Sequence, residues 1–466
     1  MEFPPRNRKH PEAAIRRITP WRALPPLTAV LLGLWGLPRG AGGGSMWRDE
    51  STTWQVAHRP LGGLWDLLGQ VDAVHGLHYL LMHGVFALWD GGPWALRLPS
   101  VAGTALAAAG VAAVAHRLAG ERAALIAGTA YAVLPPVQAY AQEGRSYALV
   151  AAAVVWATYL MLRERWAAYA VVLLLGCWLH EFAVLALPAH AFTARRARGW
   201  RWAAGAVLAG LLPLALVSAR QAPAQLGWLG RPSWQDWAAY GVLTAAVLLL
   251  ARGIPGSEAV RVAVPLALLP PGVLMAVSLV HPLYVDRYVL YALAGLAVLV
   301  GVRGRLVRPR PAWAVVLVGL LLVPLGVWSA WLRTPEARKD DALAVAAAVR
   351  ERARPGDAVL FMPSRRREWL LSSPGVYGTL RDVALSRSPA ASRTLHGTEL
   401  PPEAVRAAVL ASPRVIALLD PPDQPLDAHP AEAAKREALT AGFDLCSLTP
   451  VHGAQVAVYA RRGGCG

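Results

Sequence analysis

The chain has 466 residues, of which 55% are hydrophobic and only 16% charged, and its mean hydropathy is +0.38. Soluble domains carry roughly a quarter charged residues and disordered chains are poor in apolar ones, so a cytosolic enzyme is disfavoured and a disordered chain excluded. The 46 Lys and Arg against 29 Asp and Glu give +17; in so apolar a chain this reads as basic loops beside membrane spans, not as a nucleic-acid surface.

Residues 1–23 are polar and basic and are expected to stay cytoplasmic as a tail. The first apolar run, 24–37, is short enough to imitate a signal peptide, but the many spans after it favour an uncleaved anchor. Further runs cover 98–115, 123–137, 147–162, 167–178, 182–193, 202–219, 237–250, 262–280, 288–302 and 312–332. Several fall short of the roughly 20 residues of a full span. Arg117 and Arg122, Arg163 and Arg165, Arg195 to Arg201, and Arg303 to Arg310 fall in alternate loops, which the positive-inside rule makes cytoplasmic.

The opposite loops, 38–97 above all, then lie outside, together with everything after Arg333. This orientation requires that residues 75–89 lie at the interface and do not cross. The expected fold is an α-helical polytopic membrane protein of about eleven spans over 24–332. A small extracytoplasmic α/β domain follows over 333–466. In it, 358–362, 415–419, 443–448 and 455–460 read as strands, and 341–354, 402–410 and 431–441 as helices. Cys446 and Cys465 lie there, in a compartment that permits a disulfide, but spacing alone does not pair them; Cys177, inside a span, reads as a small apolar residue.

Polar residues are sparse, so their clustering on one side is informative. Arg48-Asp49-Glu50, Asp72, His75 and His78 fall in the first outer loop. Gln142 to Tyr147, His180-Glu181, His281 and Asp286-Arg287-Tyr288 fall at later outer ends. A carboxylate there can take a proton from an attacking hydroxyl, and arginines can hold a phosphate and stabilise it as it leaves. At membrane depth such a pocket suits a lipid-linked phosphate. Group transfer, a lipid phosphatase, a ligase and a transporter all remain compatible with these residues.

Taken in order, Asp49-Glu50-Ser51, the run His75-Gly76-Leu77-His78-Tyr79-Leu80-Leu81, Arg97-Leu98-Pro99-Ser100 and Gln142-Glu143-Gly144-Arg145-Ser146-Tyr147-Ala148-Leu149 form a pattern. With His180 and Arg287-Tyr288, it resembles the GT-C membrane glycosyltransferases of the polyprenyl-phosphate-mannose, protein-mannosyltransferase-like group. The usual HPPLYY-type run is altered, with Gly76 and Leu77 in place of the prolines and His78 before Tyr79.

The resemblance implies inverting transfer of a hexose, mannose by analogy, from a polyprenyl-phosphate donor to a protein, lipid or glycan acceptor on the outer face of the cell membrane. Asp49 would be the general base, and Glu50 would orient the acceptor or Asp49. Arg145 and Arg287 would bind the donor phosphate, while His75, His78, Glu143, Tyr147, His180 and Tyr288 would line the pocket. No nucleotide cofactor and no nucleic-acid partner are expected, since the chain has no Gly-rich nucleotide loop; metal independence is expected too. The rival reading is a multi-pass transporter or flippase of a lipid-linked or anionic substrate. Pro135-Pro136 and Pro270-Pro271 support it as span breakers.

Overall fold

The computed structural model describes residues 19–42, 46–226, 229–254, 256–306, 323, 326–332, 334–338 and 340–465. Most of the basic tail and most of the last apolar run, 312–332, lie outside the described residues.

Helices dominate the first two thirds. In chain order they are α1 (Pro20–Gly42), α2 (Arg48–Ala57), α3 (Leu61–Leu68), α4 (Gly76–Leu88), α5 (Pro93–Ala119), α6 (Glu121–Val133), α7 (Pro135–Ala141), α8 (Tyr147–Leu162) and α9 (Trp166–Leu179). There follow α10 (Ala186–Ala194), α11 (Arg198–Leu226), α12 (Trp234–Ala251), α13 (Glu258–Val277) and α14 (Leu293–Gly304).

Among the described residues, four stretches are long and apolar enough to cross a membrane: Pro93–Ala119, Arg198–Pro223, Glu258–Val277 and Asp286–Gly304. The shorter apolar helices are Ala73–Leu88, Tyr147–Leu162, Trp166–Leu179 and Glu181–Ala194. At the starts of two of the expected runs, 182–193 and 288–302, the chain tightens into 3₁₀ turns over Glu181–Leu185 and Asp286–Ala292, the second kinked at Val289 (φ −121°, ψ 24°). Such turns at helix ends let backbone and side chains converge on one level.

The two proline pairs behave differently. Pro135-Pro136 opens α7 after Leu134 leaves the helical region (ψ 125°), so α6 ends there. Pro270-Pro271 does not break α13, which runs on through Pro265, Pro270 and Pro271 to Val277, correcting the expectation from sequence. Membrane helices tolerate such prolines because neighbouring groups take up the freed backbone, and here the Thr193 hydroxyl donates to Arg261 O, the carbonyl that Pro265 frees, at 3.1 Å.

The bundle core joins α1, α5, α6, α8, α9, α13 and α14. Small residues let backbones approach. A Cβ on Gly295 would stand 2.4 Å from Ala263 O of α13, and one on Gly301 2.4 Å from Ala123 O of α6, so glycine is required at both crossings. Between α1 and α5, the segment carrying α2, α3 and α4 folds over one end of the bundle; α4, with 13 residues, is short of a full span.

The C-terminal third is an α/β layer. Its strands are β1 (Ala358–Met362), β2 (Arg381–Asp382), β3 (Leu385–Arg387), β4 (Thr398–Glu399), β5 (Arg414–Leu419), β6 (Phe443–Val451) and β7 (Ala454–Arg461). The main sheet has the order β2-β1-β5-β7-β6, parallel from β2 to β5 and antiparallel through β7 and β6. Cys446 on β6 and Cys465 are joined by a disulfide.

Alternation along the strands sorts the side chains. Ala358, Leu360, Met362, Val415 and Ala417 pack with Val405, Val409, Ala438 and Leu439 of the helices Pro402–Leu410 and Pro430–Gly442. Val359, Phe361, Ile416 and Leu418 face the other way, into a core shared with Ala57 of α2, Met82 and Phe86 of α4, and Leu96 of α5. The sheet is thus docked on the segment that carries Asp49.

Candidate active site

The first turn of α2 sets the centre. Consecutive helical residues point about 100° apart, and the two acids accordingly part company. Asp49 turns toward Arg287: its Oδ2 lies 3.4 Å from Arg287 Nη2, and its side chain keeps 21% of its exposure. Glu50 turns inward and is 0% exposed. Its two oxygens accept a fork from Arg97 Nε and Nη2 at 2.7 Å each, Arg338 Nη1 at 2.9 Å and the Gly144 N–H at 2.8 Å. Burial opposes ionisation of Glu50, but Arg97 and Arg338 outweigh it and hold the carboxyl below its usual range. With its oxygens so occupied, Glu50 is an anchor inside the packing and does not line the cavity, which leaves the orienting of Asp49 as the expected role its position allows.

The loop between α7 and α8 is pinned from three sides. Ser100 Oγ sits 2.6 Å from Glu143 O and 3.0 Å from Arg145 O, His78 Nε2 lies 3.2 Å from Gly144 O, and Glu50 takes the Gly144 N–H. A side chain at position 144 would collide with Leu96 at 2.3 Å, so only glycine fits this close approach. The loop presents Glu143 and Arg145 inward. Arg145 Nη1 contacts Thr53 Oγ1 at 3.3 Å, Asp49 O at 3.4 Å and the Tyr79 hydroxyl at 3.4 Å. Tyr79 in turn donates to Asp72.

Arg287 enters from the 3₁₀ turn before α14. It donates from Nε to the Tyr147 hydroxyl at 3.1 Å, and its guanidinium lies over the rings of Trp47, Tyr147 and Tyr288 at 5.6, 5.6 and 5.7 Å. Cation–aromatic contacts of this kind hold a charge without neutralising it. His180 packs against Tyr288 (ring centroids 4.3 Å) and His75 (5.5 Å). Burial, together with Arg145 and the neighbouring histidines, pushes His75 well below its ordinary range.

Among the described residues, Arg145 Nε, His75 Nδ1, His78 Nδ1, His180 Nδ1 and Glu143 Oε1 are buried without a hydrogen-bond partner. Buried polar atoms are normally paired. A group of them around two arginines marks a place prepared for a polar, anionic ligand. Burial raises Glu143 to about 7, with Arg287 opposing. A cavity of ≈ 190 Å³ opens beside these groups, lined by Trp47, Tyr140, Glu143, Arg287, Leu332 and Arg338.

All ten residues singled out from sequence therefore fall in one continuous polar layer, although Glu50 serves it from within the packing. Two lesser candidates stand apart: Glu181 accepts from Ser218 at 3.1 Å, and His281 is exposed. Sequence reasoning did not single out Arg97, Arg338, Trp47 or Tyr140 as site residues. Arg97 carried a signal, a charge at the start of an apolar run. Arg338 carried none, because it lies between the last apolar run and the α/β layer. Among the described residues no three His, Cys, Asp or Glu side chains gather as metal ligands.

No protein-family model and no curated protein matches the chain. Solved structures do. The apo structure of ArnT from Cupriavidus metallidurans superposes with a TM-score of 0.60 at 13% identity, over 94% of this chain and 98% of that one. The chain has an ArnT-like GT-C fold. The ArnT structure bound to undecaprenyl phosphate matches with a TM-score of 0.56 over the same shares, again at 13% identity. The likeness extends over nearly the whole of both chains, the C-terminal layer included.

Proposed function

We propose that the protein is an integral-membrane glycosyltransferase that moves a hexose, mannose by the sequence resemblance, from a polyprenyl-phosphate donor to an acceptor hydroxyl at the outer membrane face. The observation that carries this reading is Asp49 with its carboxylate beside Arg287 and its main-chain oxygen accepting from Arg145, amid unpartnered buried polar atoms. The ArnT-like fold, known with undecaprenyl phosphate bound, supports a lipid-phosphate donor.

In this scheme the acceptor oxygen attacks the anomeric carbon as the bond from that carbon to the phosphate oxygen breaks. Asp49 takes the acceptor proton, and polyprenyl phosphate leaves with its charge held by Arg145 and Arg287. Attack opposite the leaving group inverts the anomeric centre. His75 and His180 add donors around the phosphate. Tyr147 and Tyr288 fix Arg287, His78 steadies the loop carrying Arg145, and Glu143, at the cavity wall, accepts from a sugar hydroxyl. Glu50 positions the turn bearing Asp49. No step passes through a metal or a nucleotide, so transfer is expected to survive chelators.

The test uses membranes supplied with radiolabelled polyprenyl-phosphate-mannose. Asp49→Asn is expected to lower transfer by about 10²–10⁴-fold, the usual contribution of a general base, with insertion and folding intact. Wild-type transfer by that variant would remove Asp49 from the role. Label arriving from a nucleotide sugar without a lipid intermediate would overturn the donor.

A further inference from the structure

The α/β layer has no part in the scheme above, yet it grips α2 along its length. Trp47, which precedes α2, offers no side-chain cap, so the first N–H groups need outside partners. Asp340 supplies one, accepting the Arg48 N–H at 2.7 Å. Glu368, in the 3₁₀ segment Ser364–Ser372 after β1, holds side chains of the same turn: its main-chain oxygen accepts from Ser51 Oγ at 3.0 Å and its Oε2 from Thr52 Oγ1 at 3.2 Å. The same carboxylate lies 3.9 Å from Arg48 Nε and 3.2 Å from His396 Nδ1. Further along, Gln55 and Arg59 donate to Leu395 O and Thr394 O at 3.0 and 2.8 Å.

These bonds are not spread evenly over the interface. The apolar contacts of Val359, Phe361, Ile416 and Leu418 already dock the sheet. The two carboxylates fall instead on the turn that carries Asp49, touching residues 48 and 52 on either side of it. Glu368 is only 7% exposed, and a carboxylate held there carries a desolvation penalty that docking alone does not require.

We propose that Glu368, assisted by Asp340, is a positioning residue for transfer, fixing the first turn of α2 so that Asp49 meets the acceptor hydroxyl at the reactive angle. The inference rests on the reading of Asp49 as the base. It makes the α/β layer part of the catalytic unit and not a separate binding module.

The experiment uses the full chain in membranes, with release of polyprenyl phosphate from radiolabelled polyprenyl-phosphate-mannose as the readout. Glu368→Ala is expected to lower kcat by about 10–100-fold, the cost of misplacing a reacting group by about an ångström, with the donor KM unchanged. Glu368→Gln, which keeps an oxygen for Thr52, should recover most of the rate. In an Asp49→Asn background Glu368→Ala should cost nothing further, because it acts through Asp49.

Wild-type kcat in Glu368→Ala would overturn the proposal. So would a loss matching the fall in folded protein by fluorescence-detected gel filtration, or the same fold-loss repeated in the Asp49→Asn background. If Asp49→Asn itself keeps full transfer, the reading of the base falls and this inference with it. If Asp49→Asn is inactive while Glu368→Ala is fully active, only the positioning role falls.

Discussion

Replacing Glu50 by glutamine tests how much the polar layer depends on one buried charge. The substitution keeps the shape and an oxygen for the Gly144 N–H but removes the charge that faces Arg97 at 2.7 Å and Arg338 at 2.9 Å. Breaking a buried pair by removing one partner costs about 3–5 kcal/mol, because the remaining cation stays out of water. At roughly 2 °C per kcal/mol for a chain larger than a single small domain, the melting temperature in detergent should fall by roughly 5–10 °C. The 19 tryptophans make intrinsic fluorescence a sufficient probe.

The pH dependence follows from the lowered Glu50 carboxyl. Its contribution is complete above the unfolded value of about 4.3 and is lost as pH falls through the lower folded value. The gap between wild type and Glu50→Gln should therefore close only in strong acid. Combining Glu50→Gln with Arg97→Met should cost less than the sum of the two single changes, since they share an interaction. A Glu50→Gln protein that melts with wild type at neutral pH would refute the reasoning.

Glu143 carries a second pH signature. With its carboxyl raised to about 7 by burial, it is protonated below neutrality and ionised above, so transfer that needs it as an acceptor should rise with pH through about 7 and lose this limb in Glu143→Gln. A profile unchanged by that substitution would remove Glu143 from the reaction. Topology can be read with added cysteines, since Cys177 is buried and Cys446 is bonded to Cys465. Asp90→Cys and Ser386→Cys, both at exposed positions, should label from outside intact cells, and Glu164→Cys only after permeabilisation. Labelling of Asp90→Cys only after permeabilisation would place the site on the cytoplasmic side.

In the α/β layer the four longer strands and the three longer helices were readable, while β2, β3 and β4, of two or three residues each, were not. Strand 358–362 and helix 402–410 stand where the sequence put them, because a short apolar run between Gly356 and Pro363 and a helix opened by Pro401-Pro402 carry their own signal. The polar residues of the site were readable too, being rare charges at the ends of apolar runs. What one sequence did not show is which of two adjacent acids keeps some exposure beside Arg287 and which is buried. Asp49 and Glu50 look alike as text; Arg97 and Arg338, from distant segments, separate them. Arg338 in particular meets Glu50 across 288 residues, a contact that no local pattern announces. The irregular starts of two apolar runs were hidden for a related reason. Hydropathy reports apolar length, whereas the 3₁₀ turns at Glu181 and Asp286 answer to tertiary packing.

The knot around Glu50 also has a temporal side. Its members leave the ribosome in order: Glu50, then Arg97, then Gly144, and only after the last apolar run, Arg338. Until that arginine arrives, the carboxylate has one cation where the finished protein gives it two, and the turn bearing Asp49 lacks its partners Asp340 and Glu368. A nascent chain that has delivered only the earlier helices thus lacks the second cation of Glu50 and the acceptors that hold the first turn of α2. The first turn of α2 gains its full set of contacts only once the residues up to Glu368 have been made.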